Sequence, residues 1–308
     1  MKQTRHIALL HGGALGDLVL TLRLAAALQQ RFAPTHLTLY ARVDLSSLGD
    51  AVCDVDAFRS FDGTGLHTMF HETSEPDASC IAELSRFDLI VNCLADADAP
   101  ISRRFRHHLP GRIESISTVP RDTLQGHVSQ QWLDDLAAAG LKLPVDTLPR
   151  IVLRSDQEKQ PGRVALLHPG SGGKEKCWPI ERFAQLADKL RQNQIRPYFL
   201  IGPVEMDRHG EAITEALSSH ATVLANLSLH EAAARIAAAD LYVGNDTGMT
   251  HLAAAVGTPT IALFGPTDPT LWRPLGHNVT VILFDGVTIE KVMAGIDREI
   301  PIKPAKDR

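Results

Sequence analysis

The sequence predicts an α/β protein of two units, each built on a mainly parallel sheet. Three observations carry that prediction. Short apolar runs alternate along the chain with amphipathic stretches, the pattern of strand–helix–strand crossovers. A glycine-rich turn follows a strand-like run near the head of each half, at residues 11–17 and 168–179. The stretch LYVGNDTGMTHLAAAVGTPTIALFGP, residues 241–266, reads as strand, turn, helix and strand in succession.

The 308 residues suffice for two domains of ordinary size. A hydrophobic content of 44% supports packed cores, and a formal net charge of -5 argues against a general nucleic-acid binder. No apolar run approaches the roughly 18 residues that a membrane span requires. After Lys2 and Arg5 the chain enters a short strand, without the longer apolar region and cleavage site of a secretion signal. Cys53, Cys80, Cys93 and Cys177 show no CxxC pairing and read as reduced thiols, so a cytoplasmic location is expected.

In the first half, residues 6–10 form a strand. His11-Gly12-Gly13-Ala14-Leu15-Gly16-Asp17 turns the chain into a helix over residues 18–31. The dinucleotide fingerprint G-x-G-x-x-G would put His11 at its first glycine. Its acidic residue is also absent from the end of the second strand, residues 37–41, which runs into Arg42 with Asp44 only beyond. A nicotinamide enzyme is therefore disfavoured. Asp17, at a helix start, stays ionised because the dipole favours its charged form. Read from its position alone, it caps the helix. Residues 87–93 (FDLIVNC) form a buried strand. Arg103, Arg104, Arg106, His107, His108 and Arg112 make a basic cluster, either a solvated surface or a seat for phosphates or anionic lipid head groups. A helix carrying Trp132 spans 130–141. The proline-containing, charged stretch 143–160, with Pro161-Gly162 after it, reads as the linker, giving domains 1–158 and 159–308.

In the second half, a strand over 164–167 leads into His168-Pro169-Gly170-Ser171-Gly172-Gly173-Lys174-Glu175-Lys176-Cys177-Trp178-Pro179. The Walker A spacing fails, yet a glycine-rich turn with lysines ahead of a helix (180–192) cradles phosphates with its backbone N–H groups. A flexible surface loop is the plainer alternative. A strand over 196–202 precedes Glu205. A short strand over 223–225 precedes Leu227, and Ser228 with Glu231 forms a capping box for a helix ending at Ala239. In the stretch that opened this section, residues 241–243 are the strand and Gly244-Asn245 the turn. Asp246 is expected as N-cap of a helix over 247–256, followed by a strand over 260–264. Gly248 admits a close backbone approach. The free N–H groups and the dipole make an anion site beyond a strand's carboxyl end. The plainer reading is a capped core helix with His251 satisfied inside. The turn to Asp268, a strand over 279–284, a helix over 289–296 and a Lys- and Pro-rich tail from Pro301 complete the chain.

Asp246-Thr247-Gly248-Met249-Thr250-His251, followed by LAAAVGTPTIALFGPT, resembles the C-terminal signature of the bacterial heptosyltransferases, glycosyltransferase family 9. GALGD, with its Leu/Val-rich helix, is similar to the N-terminal signature. The likeness is strong over residues 11–24, 168–183 and 240–268 and weak between about 45 and 160. It implies a GT-B fold, two Rossmann-like domains facing across a cleft, with the acceptor on the first and the nucleotide sugar on the second. It implies inverting, metal-independent transfer of heptose from ADP-L-glycero-β-D-manno-heptose to a lipopolysaccharide core or related glycan, with no cofactor. Asp17 would be the catalytic base and Lys176 would neutralise the leaving diphosphate. Ser171 and Gly172 would line the diphosphate turn, Glu205 would meet a ribose hydroxyl, and Leu227 would lie against the adenine. Asp246, Thr247, Gly248, Met249 and His251 would hold the donor, and Arg103 and Arg104 the acceptor. Peripheral contact with the cytoplasmic face of the inner membrane is also implied. One departure is His11, where the family often has an Arg. Asp96-Ala97-Asp98 has the letters of a metal-binding DxD but stands in the acceptor half. Two rival readings are another sugar-nucleotide enzyme of the same fold, with a different donor or as a 2-epimerase, and a non-catalytic nucleotide-sugar binder.

Overall fold

A computed structural model of the chain describes residues 4–41, 47–49, 51–61, 63–71, 73–153 and 162–301. It divides into two compact units, Met1–Val152 and Leu153–Arg308. The boundary expected after residue 158 lies outside the described residues, as do Lys2, Arg42, Asp44 and the tail from 302 onward.

In the first unit, β1 (His6–Leu10) leads into α1 (Leu15–Phe32) and β2 (His36–Ala41). There follow β3 (Ala57–Ser60), a 3₁₀ turn (Leu66–Phe70), α2 (Ala78–Leu84) and β4 (Leu89–Asn92). Then come α3 (Pro100–His108), β5 (Arg112–Ser115) and α4 (Val128–Ala138). Ile7, Ala8, Leu9 and Leu10 are wholly buried because β1 is central, paired in parallel with β2 on one side and β4 on the other. The order is β3-β2-β1-β4-β5, every pair parallel. Strand order therefore reverses between β1 and β4, where open α/β sheets form a crevice outside the strands' carboxyl ends. One face is closed by Leu66, Met69, Leu84, Ile101 and Phe105 packed on Ala8, Leu10, Tyr40 and Ile90.

The second unit begins with β6 (Arg163–His168), a 3₁₀ turn (Lys174–Lys176), α5 (Ile180–Gln192) and β7 (Ile195–Ile201). It continues through α6 (Pro203–His209), α7 (Glu211–Ser218), β8 (Thr222–Ala225), α8 (Leu229–Ala238), β9 (Leu241–Asn245) and α9 (Gly248–Ala255). It ends with β10 (Thr260–Phe264), α10 (Pro269–Trp272), β11 (Val279–Leu283) and α11 (Ile289–Glu299). The sheet order is β11-β10-β9-β6-β7-β8, again parallel throughout, so the reversal falls between β6 and β9. Trp178, Phe183, Phe199, Leu241 and Leu263 belong to one continuous core.

Two local expectations are corrected here. Gly244 and Asn245 are the last residues of β9 and not a turn, because Gly244 pairs with Ala262 and Asn245 with Leu263 of β10. Asp246 is not the helix cap: Thr247 is, its side chain accepting from the Thr250 N–H. The capping box of Ser228 and Glu231 forms as expected at the start of α8.

Candidate functional site

β6 and β9 lie side by side in parallel, Ala165 to His168 opposite Leu241 to Gly244, so their carboxyl ends release two neighbouring loops. Asn245 ties these loops together. Its wholly buried amide donates to the Pro169 carbonyl at 2.7 Å and to that of Gly170 at 3.3 Å, and its Oδ1 accepts the Trp178 N–H at 3.0 Å. The glycine-rich turn is thereby pinned at both ends, so it is not a loose surface loop. Ser171, only 3% exposed, donates from Oγ to the Asp246 carbonyl at 3.2 Å. Lys176 Nζ meets Asp246 Oδ2 at 3.0 Å, the carboxylate buried and the lysine side chain 35% exposed. Ser171 and Lys176, from one turn, therefore converge on Asp246, 75 and 70 positions away in sequence.

Thr247, Gly248 and Met249 follow as the half-buried start of α9. The first N–H groups of a helix lack intrahelical acceptors. Thr247 serves that of Thr250, and Gly248 and Met249 stand ahead of it. His251 is buried on the first turn. Gly172 has open space where a Cβ would stand, and its carbonyl accepts from Arg208 Nη2 at 2.9 Å. An ammonium group, a hydroxyl, a glycine-rich turn and a helix N-terminus meet at one sheet edge. That set suits a phosphate-bearing ligand.

Glu205 and Leu227 lie further along the same edge, after β7 and β8. Glu205 is buried in the first turn of α6. Its Oε2 accepts the Gly202 N–H at 2.8 Å and stands 3.8 Å from His168 Nε2, an ion-pair distance too long for a hydrogen bond. Burial pushes the Glu205 carboxyl up, but the His168 ring and the Gly202 N–H pull it down further, leaving it below the usual carboxylate range. A Cβ on Gly170 would stand 1.7 Å from Glu205 Oε1, so the turn requires glycine there. Leu227 is half-buried after Asn226, which takes the left-handed conformation (φ 58°) that asparagine tolerates.

In the first unit, Asp17 is half-buried in the first turn of α1, at the carboxyl end of β1. A Cβ on Gly13 would stand 2.7 Å from Asp17 Oδ2 and 3.0 Å from His11 Cε1. His11 is 1% exposed, and burial drives its imidazole down to about 4 against a weaker upward pull from the Ala14 backbone. Arg103 and Arg104 lie on α3, where they line a pocket of about 350 Å³ with Glu75, Pro100, His107 and His108. Arg103 donates to the Asp98 carbonyl at 2.7 Å and Arg104 to that of Ser74 at 2.6 Å. Arg112 of the same sequence cluster is elsewhere, on β5, paired with Glu114. Among the described residues no group of three His, Cys, Asp or Glu side chains is placed to hold a metal ion.

Residues 138–293, just over half of the chain, match the model of glycosyltransferase family 9 (heptosyltransferase). The chain belongs to glycosyltransferase family 9. Lipopolysaccharide heptosyltransferase 3 of Escherichia coli is 23% identical over 321 residues, spanning 95% of this chain and 90% of that protein. The solved structure of E. coli ADP-heptose lps heptosyltransferase II shares the fold with a TM-score of 0.73 at 20% identity, over 95% of this chain and 98% of that one. E. coli heptosyltransferase WaaC with ADP gives a TM-score of 0.70 at 20% identity, over 96% and 99%. This family 9 glycosyltransferase thus has the GT-B class of fold, two parallel-sheet α/β units. Asn245, Arg208 and His168 join the candidate site through the structure and not through a sequence motif. Asn245 had a signal in its place directly before Asp246, whereas Arg208 and His168 act through contacts that no local pattern encodes.

Proposed function

We propose that this family 9 enzyme is an inverting, metal-independent heptosyltransferase. It moves heptose from ADP-L-glycero-β-D-manno-heptose to a lipopolysaccharide core or related glycan acceptor, in the cytoplasm at the inner face of the inner membrane. The observation that carries the reading is the convergence of Ser171, Lys176 and Asp246 ahead of α9. In the reaction, the acceptor oxygen forms a bond to the anomeric carbon while the bond from that carbon to the β-phosphate oxygen breaks. Asp17 takes the hydroxyl proton. Lys176, Ser171, the turn at Gly172 and the N–H groups of Gly248 and Met249 stabilise the departing ADP. Thr247, Asp246 and His251 orient the donor, Leu227 lies against the adenine, and Glu205 serves the ribose side. Arg103 and Arg104 bind anionic groups of the acceptor. The heptose donors named for the relatives, and ADP in the WaaC structure, support this choice of donor.

Calorimetric titration with ADP, UDP, GDP and NAD in metal-free buffer tests the reading. Selective ADP binding is expected. Preference for UDP or GDP would replace the donor, and binding of NAD alone would overturn the proposal. For the base, Asp17→Asn is expected to lower turnover at least about 100-fold with little change in ADP affinity. Undiminished turnover would remove that role.

A further inference from the structure

His11 stands where β1 ends, and its side chain turns toward α1. Its ring Nδ1 lies 3.2 Å from Thr21 Oγ1, and the same hydroxyl donates to the Asp17 carbonyl at 2.8 Å. The ring is thus linked through one hydroxyl to the backbone of the residue that carries the candidate base. The second link is steric. The vacant Cβ position of Gly13 is within 3.0 Å of both the His11 ring edge and the Asp17 carboxylate, so the two side chains close around the same small space. His11 Nε2 is buried without a hydrogen bond of ordinary geometry among the described residues, and the Ala14 backbone gives the ring only a weaker upward pull. A buried polar atom left in that state costs free energy.

We infer that His11 is a positioning residue for Asp17, its imidazole seated beneath the Gly12-Gly13 turn and tied through Thr21 to the first turn of α1. The inference rests on the reading of Asp17 as the base. Two consequences follow from the chemistry of the ring. It steadies the first turn of α1 without adding a charge, because burial keeps the imidazole neutral. Among the described residues of the flanking strands, Tyr40 of β2 directs its hydroxyl to Glu83 at 2.7 Å, and Cys93, just past β4, is a buried thiol. The neutral ring adds no charge of its own beside the carboxylate, whereas a cation in the same place would stabilise the ionised form and make a weaker base.

The test uses the full chain labelled with carbon-13 at aspartate carboxyls, the Asp17 resonance being assigned by its loss in Asp17→Asn. In His11→Arg the Asp17 titration midpoint is expected to fall by about one pH unit or more, while His11→Asn leaves it in place. Thr21→Val and His11→Leu are expected to lower kcat about 10-fold or more with donor KM nearly unchanged, since a small misplacement of a reacting group is felt in turnover. His11→Asn, which keeps a hydrogen-bonding partner for Thr21, is expected to restore the rate lost in His11→Leu. An unmoved midpoint in His11→Arg, or wild-type kcat in both Thr21→Val and His11→Leu, would overturn the inference. Wild-type turnover by Asp17→Asn would instead end the reading of Asp17 as base, and the carboxyl titration would still decide whether His11 governs that group.

Discussion

Lys176 carries a single charge, and one carboxylate already meets it. In the structure its ammonium group is 3.0 Å from the buried Asp246 carboxylate, yet the side chain remains one-third exposed. An ammonium group has three donors, so a diphosphate can be added without breaking the pair. Lys176→Ala is therefore expected to weaken ADP about 10- to 100-fold, the equivalent of roughly 1.5–3 kcal/mol for a charge-assisted hydrogen bond, and to lower turnover with it. Calorimetry with unchanged ADP affinity would take Lys176 out of the site. His11 gives a second consequence at this scale, in stability. Its folded value of about 4 lies below the ordinary histidine value of 6.5, so the folded state binds fewer protons than the unfolded chain between those limits. The stabilisation is complete above about pH 6.5 and is lost as pH falls toward 4, at up to about 1.4 kcal/mol per pH unit. Urea denaturation across that window is expected to show a shallower acid loss in His11→Asn than in the wild type. Parallel losses would mean that other groups set the acid limit.

At the scale of elements, β9 determines how the two neighbouring loops are held. Asn245 satisfies the Pro169 and Gly170 carbonyls and the Trp178 N–H from one buried side chain. Asn245→Ala leaves those groups without partners, each costing roughly 1–3 kcal/mol when buried. The expected loss is about 2 kcal/mol or more by urea denaturation, together with weaker ADP binding. Thr247→Ala, which removes only a helix cap, is expected to cost about 1 kcal/mol. If Asn245→Ala were the milder change, the tie between the loops would not be what holds the turn. β9 and α9 also show what a sequence makes legible. β10 (Thr260–Phe264) and α5 (Ile180–Gln192) could be delimited to the residue, because apolar β-rich and helical periods are local and strong there. The cap was misassigned by one position because Asp246 and Thr247 are both good capping residues, and the Lys176 pair that draws Asp246 away lies 70 positions off in sequence. Asn245 looked like a turn residue after Gly244, although it ends a strand paired on β10. β3 (AFRS) and β5 (RIES) escaped notice because they are four-residue edge strands with little apolar signal. Ser171, Lys176 and Asp246, by contrast, lie in a glycine-rich turn and at a helix start that are marked locally, and the likeness to the family 9 signatures singles them out as candidates.

For the whole molecule, the important feature is that each unit has its own sheet and its own core. Trp178, Phe183, Phe199, Leu263 and Ile296 belong to one cluster drawn entirely from the second unit, while Leu10, Tyr40, Ile90 and Phe105 belong to one drawn entirely from the first. A core of that extent within about 150 residues is what an independently folding domain needs. The residues proposed for the donor, from Ser171 to His251, all lie in the second unit, and Asp17 lies in the first. Donor binding and proton transfer should therefore separate physically. A fragment spanning residues 153–308 is expected to fold cooperatively and to bind ADP within about three-fold of the full chain's affinity, with no transferase activity. At an ADP concentration about 100 times its dissociation constant, the fragment should gain about 2.7 kcal/mol of stability, the linkage expected of one site. In the full chain, hydrogen exchange with ADP bound should show new protection near Ser171, Asp246 and α9 and little change around α1. A fragment that folds but does not bind ADP would mean that the first unit supplies part of the nucleotide site. Protection spreading equally to both units would lead to the same conclusion, with donor and acceptor no longer assigned to separate halves.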